Sequence, residues 1–159
     1  MAHQLSALTT QIVQPATLLA QANPNRLFID VRLGTDPSDE LKTHRECHIH
    51  GAVYAQIRDV FAGQPTQTSG NLPLPRLEDL QAQLQRWGVA PDTEIILYGP
   101  SLALAARGWW VLRWAGLLNV KVLDGGLRAW INEGGPVAQG DSHPPPRTTS
   151  ASISRSAAP

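Results

Sequence analysis

Cysteine occurs once in 159 residues, at Cys47. No intramolecular disulfide can form, which excludes the small secreted scaffolds that depend on such staples. An excess of either charge is also missing, because thirteen basic residues balance thirteen acidic ones. Net charge therefore points to neither nucleic acid nor an anionic membrane as partner, and the eleven Arg and two Lys are scattered rather than massed in runs. Long hydrophobic runs are absent too. The most apolar stretch, residues 102–118, is interrupted by Arg107 and Arg113 and falls short of the ~20 predominantly apolar residues of a spanning helix. The opening MAHQLSALTTQIVQ has no basic n-region and no unbroken apolar h-region. No secretory signal is expected, and the expected location is cytoplasmic.

What remains is enough for a core. Hydrophobic residues make up 42% of the chain and charged ones 16%, a balance and length that suit one globular domain. Residues 15–22 (PATLLAQA) place proline where a first helical turn tolerates it, ahead of good helix formers. Residues 26–31 (RLFIDV) form a short apolar run of strand length, followed by a loop containing DPSDE and a second strand at 51–55 (GAVYA). Residues 63–75 are turn-rich. After Pro75, Leu77, Leu80, Leu84 and Trp87 fall on one helical face, and Gly88 supplies the stop. EIILY (94–98) and VKVL (120–123) read as strands. Helices are expected over 102–115, closed by Gly116, and over 127–133 after the Asp124-Gly125-Gly126 turn.

Strands alternating with helices predict an α/β domain with an open, mainly parallel sheet and helices on both faces. Ligands of such sheets bind beyond the carboxyl ends of the strands. The candidate loops are thus those after Val31, Tyr98 and Leu123. From Ala138 onward the composition turns to Pro, Ser, Thr and Ala, too little apolar surface to offset the entropy of ordering. The expected division is a domain over 1–137 and a Pro/Ser-rich linker or disordered tail over 138–159. Within the helix at 102–115, Trp109, Trp110 and Trp114 fall within six residues. They can pack against neighbouring helices or form a docking surface for a second domain.

Several segments in order resemble the rhodanese family, above all the N-terminal half of two-domain thiosulfate and 3-mercaptopyruvate sulfurtransferases. FIDVR (28–32) is similar to the family's first-strand Asp-x-Arg segment. CHIHGAVYAQI (47–57) is similar to its His-Ile-Pro-Gly-Ala segment, with His50 where proline is usual. LPLPRLEDLQAQLQRWGV, IILY, ARGWWVLRWAG and VKVLDGGLRAWINEGGPV resemble the rest of the domain, and the match runs from about Val13 to Val137. The resemblance implies a rhodanese-like fold and sulfane-sulfur transfer. The family's cysteine follows directly on the strand corresponding to EIILY. There a loop of backbone N–H groups at a helix N-terminus favours the thiolate and cradles anionic sulfur.

That position is Gly99 here. GPSLALAAR (99–107) holds no cysteine and no C-x5-R pattern, and Pro100 removes one N–H from any anion cradle. Gly99, Pro100, Ser101 and Leu102 are therefore read as a vestigial active-site loop, with Ser101 as helix cap rather than nucleophile. No catalytic residue, cofactor or metal is expected. In the two-domain relatives the N-terminal half likewise lacks the nucleophile. The implied partner is thus a catalytic rhodanese domain, in cis or in trans, docked through the tryptophan-bearing helix. The alternative is a stand-alone, non-catalytic binding or regulatory module.

Other chemistry-bearing residues have blander expectations. Cys47 lies outside the nucleophile position, and a role as persulfide-accepting thiol is the minor reading. His44, Cys47, His48 and His50 lack the spacing of a zinc site, and the resemblance makes His48 structural. Asp30 and Arg32 are expected to satisfy each other and nearby backbone groups rather than to act on substrate.

Overall fold

The computed structural model describes residues 11–142; expectations for residues 1–10 and 143–159 lie outside the described residues. Five strands form one sheet in the order β1 (Ile12–Val13), β6 (Val120–Leu123), β5 (Glu94–Tyr98), β2 (Arg26–Arg32), β4 (Val53–Gln56). Every adjacent pair is parallel. A small antiparallel ribbon joins β3 (His48–Ile49) to β7 (Val137–Ala138). The helices are α1 (Pro15–Ala20), α2 (Pro37–Glu46), α3 (Ile57–Val60), α4 (Leu77–Arg86), α5 (Leu102–Trp114) and α6 (Gly126–Asn132). This is the α/β architecture expected from the alternation of elements.

Both faces of the sheet are covered, so its central strands are apolar nearly throughout rather than alternating. Leu27, Ile29 and Val31 of β2, with Ile95 and Leu97 of β5, pack under α3, α4 and α5 together with Phe61, Leu80, Leu84, Val111 and Leu112. On the other face Phe28, Ile96, Tyr98 and Leu123 meet Leu18 of α1 and Trp130 of α6. Trp130 stands edge-on to Phe28 at 5.1 Å, and its indole N–H donates to the Pro136 carbonyl. Helix α5 lies close on the sheet because position 108 is glycine. A Cβ there would come within 3.1 Å of Leu97 Cδ2 and 3.2 Å of Phe61 Cε2.

One loop expected from the sequence is a helix. The DPSDE segment opens α2: Asp36 caps it by accepting from the Ser38 N–H, and Pro37 occupies the first turn. Its only fully buried side chain is His44, so no apolar stripe advertised the helix. The second strand sits two residues later than expected, because Gly51, at φ 80°, still belongs to the preceding turn.

Residues 138–142 remain attached to the domain. Ala138 pairs with His48 in the ribbon. The Gly140 N–H donates to the Arg45 carbonyl, Arg45 Nε reaches Asp141 Oδ1 at 2.7 Å, and Ser142 hydrogen-bonds His44. No helix among the described residues is long and apolar enough to cross a membrane.

Candidate functional site

Parallel pairing brings the carboxyl ends of β2, β4 and β5 to one edge. There Arg32 stands beside Gln56, and Asp30 lies between Tyr54 and Tyr98. The loop after β5 starts at Gly99. A Cβ built on Gly99 would stand 2.3 Å from the Val31 carbonyl oxygen, with Leu104 Cβ at 3.8 Å behind it. The loop backbone therefore rests directly on β2, and a side chain at this corner would force backbone to shift. The Gly99 carbonyl in turn faces Gly126, whose φ of 60° starts α6 in a backbone conformation suited to glycine. Ser101 caps α5 by accepting from the Leu104 N–H, and Leu102 projects into solvent.

Below this edge is a buried polar cluster. Asp30 is 0% exposed and accepts Arg32 Nε on both carboxylate oxygens at 3.1 Å. His44 Nδ1 lies 2.7 Å from Asp30 Oδ2, and Arg32 reaches on to Glu40. The imidazole rings of His44 and His48 stack with centroids 4.2 Å apart and planes 9° apart. His48 Nδ1 donates to the His44 carbonyl at 2.9 Å. Tyr98 accepts the Ile49 N–H on its hydroxyl, which ties β3 to the strand end. Burial pushes the Tyr98 phenol well above its ordinary range, and the nearby Asp30 charge acts in the same direction.

The expected Asp30–Arg32 pair is thus present, but it is the inner half of a larger assembly that includes His44. Sequence reasoning weighed His44 as a metal ligand and as a neighbour that could favour a Cys47 thiolate, and missed this role. The signal that could have found it was His44 in the last turn of a helix opened by Asp36-Pro37, with His48 four residues on at the start of β3. His44 meets Asp30 and Ser142, and His48 is turned toward the His44 carbonyl. Among the described residues no group of three His, Cys, Asp or Glu side chains is placed to hold a metal ion.

Two other groups complete the edge. Gln56, fully buried, accepts the Ile57 N–H through Oε1 while its Nε2 has no hydrogen-bond partner among the described residues. Cys47 ends α2 in extended backbone, half-buried and as a free thiol. The nearest atoms to the Gly99 corner are those of Val31 and Leu104 rather than the thiol. The three tryptophans of α5 do not share one surface. Trp109 donates to Gln11 Oε1 and the Val120 carbonyl, and Trp114 packs with it against the core. Only Trp110 of the three is exposed, at 48%.

Acid should weaken this domain in two stages. Burial holds His48 below its ordinary pKa of 6.5, and the His44 and His50 charges add to that, outweighing its bond to the His44 carbonyl and the Asp30 charge. The unfolded chain then takes up the proton first, so stability falls as the pH drops through about 6.5. At the opposite edge burial raises the Glu94 pKa, but the bonds and charges of Arg26 and Lys121 outweigh it and hold the carboxyl below its ordinary value. Its stabilisation is present above the ordinary glutamate range and lost as the pH falls through the lowered folded value. Urea midpoints measured from pH 7.5 to 3.5 should decline in both windows, and Glu94→Gln should flatten the second. A midpoint unchanged between pH 7.5 and 5.5 would contradict the assignment for His48.

Comparison with known proteins follows the same outline. Residues 14–133 match the family model described as Rhodanese-like domain. The Pseudomonas aeruginosa protein named "Probable 3-mercaptopyruvate sulfurtransferase" is 38% identical over 140 residues, covering 84% of this chain and 49% of that protein. Thiosulfate sulfurtransferase of Rattus norvegicus is 32% identical over 118 residues, covering 72% of this chain and 39% of that one. Among solved structures, the 3-mercaptopyruvate sulfurtransferase SseA of Escherichia coli superposes with a TM-score of 0.68 at 27% identity, over 85% of this chain and 54% of its own. The chain thus spans about half, or less, of the length of the curated relatives it matches.

Proposed function

This chain belongs to the rhodanese-like family, and from that premise we propose that it is a non-catalytic member. It would support a separate, cysteine-bearing rhodanese domain of the thiosulfate or 3-mercaptopyruvate sulfurtransferase type, in cis or in trans. The observation that carries this reading is the closed corner at Gly99, where a Cβ would lie 2.3 Å from the Val31 carbonyl oxygen. Sulfur transfer in this fold needs a thiolate at that corner, ringed by backbone N–H donors. Here the position has no side chain, adding one would force backbone to shift, and Pro100 takes away a donor.

In this role the chain would cover the catalytic domain rather than react. Trp110 and Leu102, both exposed on α5, are the apolar groups available for that contact. The inward packing of Trp109 and Trp114 makes the apolar face smaller than the tryptophan count suggests. That observation favours the second reading, a stand-alone binding or regulatory module.

Two measurements test the proposal. Thiosulfate and cyanide incubated with the chain should give no thiocyanate, and capture on the immobilised chain should recover a cysteine-bearing rhodanese domain. Thiocyanate production that persists in Cys47→Ser rejects the non-catalytic reading. Capture of partners that include no such domain favours the independent module.

A further inference from the structure

We propose that Ser142 is an activated nucleophile, the outer member of a hydrogen-bonded Asp30–His44–Ser142 chain, with acyl donors such as esters or thioesters as its substrate class. Asp30 lies at the same strand edge as the Gly99 corner, but the proposal does not rest on the sulfur-transfer reading.

The order of the bonds sets the roles. Asp30, fully buried and held by Arg32 Nε at 3.1 Å, is an acceptor. The hydrogen-bond network therefore assigns the His44 proton to Nδ1, which donates to Asp30 Oδ2 at 2.7 Å. In the neutral ring Nε2 is then an acceptor, and it faces the Ser142 hydroxyl. A buried carboxylate orients a histidine base, and that base accepts a hydroxyl proton; this is the arrangement acyl-transfer enzymes use to activate serine.

The surroundings keep the arrangement in place. Asp30 comes from β2, His44 from α2 and Ser142 from the segment beyond β7, so only the tertiary fold brings them together. His44 is 1% exposed, its ring stacked on His48 and flanked by Tyr54 at 5.5 Å. Ser142 is only partly buried. The carboxylate and the base are thus shielded from water while the hydroxyl can be reached. The segment leading to Ser142 is fixed on both sides of the Arg45 backbone and side chain, through the Gly140 N–H at 2.8 Å and Asp141 at 2.7 Å.

The step balances without any oxidant or metal. Ser142 Oγ attacks the acyl carbon while its proton passes to His44 Nε2. The bond from the acyl carbon to the leaving alcohol or thiol then breaks, and the leaving group takes that proton. Water repeats the sequence to release the acid and restore Ser142.

An alkyl fluorophosphonate is the probe, since it captures an activated serine by forming an Oγ–P bond with loss of fluoride. The full 159-residue chain is treated, digested and read by peptide mass spectrometry. Ser142 should label at least about 100-fold faster than the exposed Ser38 and Ser101, the lower end of what a positioned general base supplies. The advantage should vanish in urea and fall by a similar factor in His44→Gln, with circular dichroism confirming that variant's fold. Ser142→Ala should abolish the fast label. Labelling of Ser142 no faster than Ser38, or equal in folded and urea-unfolded wild-type chain, overturns the proposal whether or not His44→Gln folds.

Discussion

Asp30→Ala should destabilise the folded chain by about 3–5 kcal/mol, the usual cost of removing one partner from a buried ion pair. The carboxylate is 0% exposed and takes hydrogen bonds from both Arg32 and His44. Alanine leaves a guanidinium that is 7% exposed and an imidazole that is 1% exposed without their acceptor, and such groups cost most when nothing replaces the lost bond. The loss should exceed that of Asp30→Asn, which keeps an acceptor oxygen while removing the charge. Urea unfolding followed by tryptophan fluorescence reads both. A loss below about 1 kcal/mol for Asp30→Ala would mean that the cluster contributes little beyond its geometry.

Gly99→Cys should form no thiocyanate from thiosulfate and cyanide and should be less stable than the parent. Restoring the family's nucleophile looks like a one-residue change in the sequence, but a Cβ at position 99 would overlap the Val31 carbonyl oxygen at 2.3 Å. The obstacle is backbone of the central strand β2, which is paired on both sides and cannot swing aside as a side chain can. Overpacking of this kind costs about 1–3 kcal/mol. Even a tolerated thiol would face a loop with one N–H fewer, since residue 100 is proline. Thermal unfolding and a thiosulfate–cyanide assay on the purified variant check both parts. A Gly99→Cys protein as stable as the parent and forming thiocyanate would show that the corner is open.

The parts of the fold legible in the sequence were those that announce themselves by burial. β5 and β6 run over the residues EIILY and VKVL that the apolar runs marked. Helix α4 follows the spacing of Leu80 and Leu84. Helix α2 escaped because its buried residue is a histidine, which no hydrophobic pattern reports. β1, β3 and β7 are two residues each, too short for a period of two to register. Three tryptophans in one helix marked α5 as apolar, but not which of them turn inward: Trp109 and Trp114 pack against the core, while Trp110 is exposed.

The candidate site was legible in the same uneven way. The missing thiol at position 99 could be read directly, whereas the backbone contact that closes the corner is a distance between residues far apart in the chain. Asp30 and Arg32, two apart on one strand face, could be paired from their spacing. Their continuation to His44 and Ser142 crosses 14 and then 98 positions, and its far end lies in a segment whose composition suggested a linker.

The most direct measurement is the intact mass of the chain after incubation with thiosulfate, read under conditions that preserve persulfides. An unchanged mass is the outcome expected of a polypeptide whose strand–helix corner bears no sulfur atom. A gain of about 32 Da, one sulfur retained on a thiol, mapped to Cys47 and discharged by cyanide as thiocyanate, would contradict it.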